Sequence, residues 1–274
     1  MSTDQAASEQ LPRKLKILML HGYTQDGTLF HSRTKALEKI LKKAFPSTNA
    51  DPLNPFPGGV ELLYPTGPVR LQPEDIPGYD ARTVVEGSKE KEAYGWWKHD
   101  PTAEAYAGLD ETFTILAETI RNADGIDGVV GFSQGAAVAS FVASLLEPGR
   151  ESAFVQNVGG MVYPADWVGV NQGRELKFAV SYSGFCSTID QYRSFYEPKI
   201  RTPFLHVIGS SDMIVEESRS LALAEACENS KVLYHPGAHF VPIGKDMAGE
   251  FVSFVKETCI DKTIEGVDEK DMSK

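Results

Sequence analysis

Gly131-Phe132-Ser133-Gln134-Gly135 is a G-x-S-x-G, the one such pentapeptide in a chain of 274 residues. A serine hydroxyl acts as a nucleophile only when it is held clear of its surroundings and a base takes its proton. The pentapeptide offers the first of these conditions. An apolar run, Ile126 to Val130, precedes it, and a run of helix formers, Ala136 to Leu146, follows it. Strand, sharp turn and helix in that order are what a nucleophile elbow requires. The two glycines remove the Cβ atoms that would clash where strand and helix approach. The serine then lies at a helix N-terminus, whose dipole favours negative charge. Taken alone, the stretch is equally compatible with a Gly-rich strand-to-helix turn carrying an incidental serine.

The second condition needs an imidazole base and a carboxylate to orient it. Functional groups of an open α/β sheet gather at the carboxyl ends of its strands, so the candidates are acids and histidines that directly follow strands. Pro203 to Gly209 reads as a buried strand and leads into Ser210-Ser211-Asp212. Lys231 to His235 reads as the last strand and leads through Pro236-Gly237-Ala238 to His239. The order Ser133, Asp212, His239 is the serine-acid-histidine order of α/β-hydrolases. The oxyanion of an acyl-transfer intermediate also needs backbone donors. The amide of Gln134, next after the serine, is one candidate, and the amide of Tyr23 in His21-Gly22-Tyr23 is the other.

The other histidines have quieter expectations. His21 should be structural, hydrogen-bonded beneath its loop. His206 lies within a strand and should be buried and hydrogen-bonded. His235 precedes the Pro-Gly turn, and His31 and His99 should be surface or loop residues. No H-E-x-x-H spacing occurs, so neither a metal site nor a cofactor is expected.

Positioning these groups takes strands that alternate with helices along the chain. Lys16 to Leu20 is a short apolar run ending at His21. Leu29 to Phe45 has helical spacing, with Leu37, Ile40, Leu41 and Phe45 on one side, and Pro46 ends it. Glu61 to Tyr64 is a second strand. Ala105 to Ala123 is predicted helical from Leu109, Phe113, Leu116 and Ile120. Residues 147–157 read as a polar break, Phe178 to Gly184 as a strand, Ser218 to Asn229 as a helix, and Gly244 to Cys259 as a final amphipathic helix. The pattern predicts an α/β fold with a mainly parallel sheet covered on both faces. The expected organisation is one domain over 15–259, with polar tails at 1–14 and 260–274 and a loop-rich, lid-like insertion at about 46–101. That insertion holds Tyr94-Gly95-Trp96-Trp97. The two tryptophans can pin the loop to the body, and Trp96, Trp97 and Phe185 are also the candidates for an apolar acyl pocket.

Composition excludes some functions. The formal net charge of −11 argues against nucleic acid and anionic membranes as partners, since both need clustered Lys and Arg. Three cysteines far apart, Cys186, Cys227 and Cys259, suggest reduced thiols rather than a disulfide framework. With no apolar leader or membrane-length run, a cytoplasmic enzyme is expected.

Several of these motifs recur together in one family. The segments Leu20-His21-Gly22-Tyr23, Tyr94-Gly95-Trp96-Trp97, Asp127 to Ala136, Ser183-Gly184-Phe185 and His235-Pro236-Gly237-Ala238-His239-Phe240-Val241-Pro242 resemble the fungal "family of serine hydrolases" over about residues 15–258. The resemblance implies a compact α/β-hydrolase with esterase activity through Ser133, Asp212 and His239. Some relatives are thioesterases, so acyl thioesters of a carrier protein or coenzyme A form the alternative substrate class. The Pro-rich segment at 46–60 and the loop at 69–92 depart from the pattern, and substrate choice is not carried over. A non-catalytic binding module on a hydrolase fold is the remote third reading.

Overall fold

Leu15–Leu20 (β1) is buried except for partial exposure at Lys16, and its side chains sort by alternation. Leu15, Ile17 and Met19 join one apolar cluster, while Leu18 and Leu20 join another. A strand buried on both faces belongs inside a layered sheet. In the computed structural model, which describes residues 11–48, 54–79 and 92–260, β1 leads to α1 (Gly27–Ala44) and β2 (Val60–Leu63). Four short strands follow: β3 (Val69–Arg70), β4 (Tyr94–Gly95), β5 (Lys98–Asp100) and β6 (Ala105–Ala107). The rest of the chain forms α2 (Leu109–Asn122), β7 (Gly128–Phe132), α3 (Gln134–Leu145), α4 (Glu151–Gln156), β8 (Phe178–Tyr182), β9 (Phe204–Gly209), α5 (Glu217–Glu225), β10 (Ser230–His235) and α6 (Lys245–Cys259).

Six strands form one sheet in the order β10-β9-β8-β7-β1-β2, and each neighbouring pair is parallel. Residues of α1 and α6 pack on one face, and residues of α2 and α3 pack on the other. The strand order places the site. The chain goes from β1 outward to β2, then returns to the other side of β1 as β7 and runs outward the other way. The order therefore reverses between β1 and β7, where an open sheet leaves a crevice at its carboxyl edge. The loops after these two strands begin at His21 and Ser133.

Some boundaries differ from expectation. The helix predicted from Ala105 begins at Leu109, because Gly108 takes a left-handed conformation (φ 89°) at its N-cap and Ala105–Ala107 pairs antiparallel with β5. Tyr106 in that strand stacks between Trp97 and Tyr192. The strand before the elbow continues through Gly131 and Phe132, whose register partners are Ser181 and Tyr182. The polar break contains α4, which buries Ala153 and Phe154. Part of the 69–101 stretch is strand, β3 pairing with β4. The predicted tails lie outside the described residues except for 11–14 and 260, as do 49–53 and 80–91 of the insertion. Among the described residues, no helix is long and apolar enough to cross a membrane.

Candidate active site

Ser133 has φ 54° and ψ −118°, a conformation that costs a non-glycine residue about 1–3 kcal/mol and persists only where its surroundings enforce it. Its amide donates to Tyr182 O at 2.8 Å. On one side β7 is locked between β1 and β8. On the other, α3 is buried along its whole length. The glycines allow this closeness. A Cβ on Gly131 would lie 2.1 Å from Gly135 O, and one on Gly135 would lie 2.3 Å from Leu20 O. Both obstacles are backbone, so neither can swing aside. Ser133 is 9% exposed.

Asp212 and His239 come together from the loops after β9 and β10. Asp212 Oδ2 and His239 Nδ1 are 2.7 Å apart. The other carboxylate oxygen, Oδ1, accepts from the amides of Ile214 (2.9 Å) and Val215 (3.0 Å). Burial alone would raise the Asp212 carboxyl. The Val215 amide, His239 and the Ile214 amide together outweigh it and hold the group below the usual carboxylate range. An ionised carboxylate only accepts, so His239 Nδ1 is the donor, and in the neutral ring Nε2 carries the free lone pair. The imidazole lies 4.8 Å, centroid to centroid, from the ring of Phe132, the residue before Ser133. That contact sets the histidine beside the elbow. The Ser133 hydroxyl makes no hydrogen bond among the described residues; in ligand-free sites this contact is often long and tightens with substrate.

The two expected oxyanion donors lie in one network. The amides of Tyr23 and Gln134 donate to no protein acceptor among the described residues, whereas Thr24 N donates to Tyr94 O at 2.9 Å and Gln25 N to Gly22 O at 3.2 Å. The Gln134 side chain is committed elsewhere. Its Oε1 accepts from Trp96 N at 2.8 Å, and its Nε2 donates to Trp97 O at 2.9 Å. Trp96 Nε1 in turn donates to His21 O at 2.8 Å, and the indole stacks on the His21 ring at 4.6 Å. His21 Nε2 accepts from Gly67 N at 2.9 Å, so the ring is neutral and Nδ1 donates to Gly22 O at 2.8 Å. Burial pushes the His21 pKa down to about 4, although its bond to Gly22 works the other way. Sequence reasoning missed this side-chain role of Gln134. The signal was a glutamine opening an otherwise apolar helix, since a buried carboxamide needs partners.

Other expectations change. Trp96 is fully enclosed and supports the His21 loop rather than walling an open pocket. Trp97 is 4% exposed and packs between Tyr106 and Phe141. Phe185 is half-buried against the Arg219 guanidinium, 4.4 Å from its ring centroid. His206 is buried as expected, but neither ring nitrogen has a hydrogen-bond partner among the described residues. Its ring instead stacks on Phe204 at 4.6 Å, and burial pushes its pKa down to about 3. Among the described residues, no group of three His, Cys, Asp or Glu gathers where it could hold a metal ion.

A strained serine beside a carboxylate-bound imidazole is the apparatus of serine hydrolases, and sequence comparison agrees. Residues 10–251 match the family described as serine hydrolase (FSH1). The chain belongs to this family of serine hydrolases. It is 32% identical to Family of serine hydrolases 3 of Saccharomyces cerevisiae, over 90% of this chain and 85% of the yeast protein. It is 31% identical to a Schizosaccharomyces pombe protein named dihydrofolate reductase, over 85% of this chain. It spans only 45% of that protein's own length, and the reductase name belongs to that longer protein. Among solved structures, the acyl-protein thioesterase 2 of Zea mays superposes with a TM-score of 0.55 at 19% identity, covering 92% of this chain and 96% of that one. This likeness establishes an α/β-hydrolase fold. The resemblance to serine hydrolases read in the sequence is thus borne out at the level of the family.

Proposed function

We propose that this serine hydrolase cleaves carboxylic acyl esters through a Ser133-His239-Asp212 triad and an acyl-enzyme. The supporting observation is the 2.7 Å contact between His239 Nδ1 and Asp212 Oδ2 beside a serine held in a strained turn. Ser133 Oγ attacks the carbonyl carbon while His239 Nε2 takes its proton. The carbonyl π pair moves onto oxygen, where the Tyr23 and Gln134 amides receive it. Donors of this kind stabilise the oxyanion by about 3–4 kcal/mol each. As the adduct collapses, the bond to the leaving group breaks with its electron pair, and His239 returns the proton to the leaving atom. Water then repeats the sequence on the acyl-enzyme. Asp212 keeps the imidazole in the required tautomer and stabilises the imidazolium.

The same apparatus attacks thioesters, so carrier-protein or coenzyme A thioesters are the second substrate class. We take residues 15–259 as the hydrolase unit and, from its three unpaired cysteines, assign it to the reducing cytoplasm. The test is a series of p-nitrophenyl esters and S-acyl thioesters of rising chain length. Turnover of either series that is lost in both Ser133→Ala and His239→Ala supports the reading. Turnover that survives either change contradicts it.

A further inference from the structure

Beside His239 lies a cleft of about 310 Å³ that the proposed chemistry does not yet use. That is the lower end of the size range of small-molecule sites. Its walls are chiefly apolar, with Phe132 next to the imidazole and Phe240 and Ile243 along the rim. Phe240 and Ile243 are 48% and 45% exposed, although they directly follow the histidine loop. Two polar side chains face this apolar space. Gln25 is 5% exposed and lines the cleft, with its Oε1 enclosed and without a hydrogen-bond partner among the described residues. Arg33 lines the cleft from α1. Glu38 of the same helix is engaged by His31 and Lys42, and among the described residues Arg33 has no carboxylate partner.

The position of the cleft relative to His239 identifies which part of the substrate it takes. The imidazole must deliver its proton to the leaving oxygen or sulfur, so that atom lies at the ring when the tetrahedral adduct collapses. A cleft that has this ring as a wall receives what is attached to the leaving atom. We propose that it is the leaving-group subsite, and that it favours an alcohol or thiol whose chain offers apolar surface and ends in an anion facing Arg33. The proposal rests on the triad reading and adds the class of leaving group. In this step the carbonyl carbon to oxygen or sulfur bond breaks, its electron pair stays on the leaving atom, and the proton comes from His239 Nε2.

Two thioesters of one acyl chain test it: the butanoyl thioester of 3-mercaptopropanoate, anionic at neutral pH, and that of 3-mercaptopropanamide, its neutral counterpart. Released thiol is followed at low ionic strength, where a partly exposed charge pair is least screened. The expected wild-type ratio of kcat/KM, anionic over neutral, is about 3, and Arg33→Glu should lower it by about ten-fold. Arg33→Lys should keep most of the preference. Lys35→Glu makes the same charge change two residues along and should leave the ratio alone. A wild-type ratio of 1 or below, or equal ratios in wild type and Arg33→Glu, overturns the subsite while leaving the triad standing. An equal fall in Lys35→Glu overturns it too, since it would reflect overall charge. Turnover of neither thioester nor of p-nitrophenyl esters overturns the subsite together with the triad.

Discussion

Gln134 Oε1 accepts the amide proton of Trp96 at 2.8 Å, and Gln134 Nε2 donates to Trp97 O at 2.9 Å. One carboxamide thereby ties the residue after the nucleophile to the segment that carries both tryptophans. That segment holds the other half of the candidate oxyanion site, through Tyr94 O to Thr24 N and Trp96 Nε1 to His21 O. The two amides proposed to meet the oxyanion are therefore spaced by one buried network and not by two independent loops.

Gln134→Glu tests that coupling. A carboxylate still accepts from Trp96 N but cannot donate to Trp97 O, leaving two acceptors face to face. We expect a loss of about 2–3 kcal/mol in stability and about ten-fold in kcat with little change in KM. Denaturant unfolding and steady-state kinetics on one ester provide the check. Unchanged kcat would mean that the network does not govern the oxyanion donors.

Asp212→Asn should preserve the fold and remove most of the activity. An asparagine can turn its NH₂ toward His239 Nδ1, which then favours the proton on Nε2, where the base must be free. The expected fall in kcat is about 10³–10⁴, the effect known when a triad acid is amidated. Because Asp212 is held below the usual carboxylate range, the wild-type acid remains ionised from pH 5 upward. Kinetics at pH 7 and 8 measure the fall, and a loss below ten-fold would remove Asp212 from the mechanism.

Two buried histidines set an acid limit on stability. Folded His21 titrates at about 4 and folded His206 at about 3, against about 6.5 when unfolded. Above pH 6.5 neither state binds the proton, and stability is full. Below it the unfolded chain gains protons that the folded chain refuses, so stability falls as pH drops from 6.5 to about 4 for His21 and to about 3 for His206. At pH 4.5 each contributes a loss of roughly 2.7 kcal/mol, from two pH units at about 1.36 kcal/mol each. His206→Leu fills similar space, removes two unpaired nitrogens and should cut the pH 7 to pH 4.5 loss by about that amount. Urea unfolding of both proteins at the two pH values decides it, and an identical pH dependence contradicts the buried-histidine account.

Glycines separate by what surrounds them. Gly135→Ala places a methyl 2.3 Å from Leu20 O and 2.4 Å from His21 O, so the elbow must open and activity should vanish. Gly249, inside α6, has nothing within 4 Å of a Cβ. Gly249→Ala should raise stability by roughly 0.5–1 kcal/mol through helix propensity and leave activity unchanged. Thermal unfolding and ester turnover of the two variants distinguish the cases.

Much of this arrangement could be read from the chain. The strand-helix alternation, the elbow, and an acid and a histidine that each follow a strand are local patterns, and local patterns survive without a fold. Asp212 and His239 stand out as candidates because both lie just past apolar runs. What could not be read depends on distant contacts. Ala105–Ala107 has helical composition yet becomes a strand, because Tyr106 is sandwiched between Trp97 and Tyr192. Trp96 is open in the sequence to two readings, loop anchor or pocket wall, and only the bond from its indole to His21 O favours the anchor. Gln25 and Arg33 carry no motif at all. Only the packing of α1 against the histidine loop brings them to one cleft.

Covalent labelling decides whether Ser133 is the nucleophile. The intact protein is treated with a fluorophosphonate at pH 7.5 and digested, and the modified peptide is sequenced by mass spectrometry. One phosphonyl group is expected, on Ser133, with labelling absent in Ser133→Ala and strongly slowed in His239→Ala. A phosphonyl group on another residue, or equal labelling of Ser133→Ala, would contradict it.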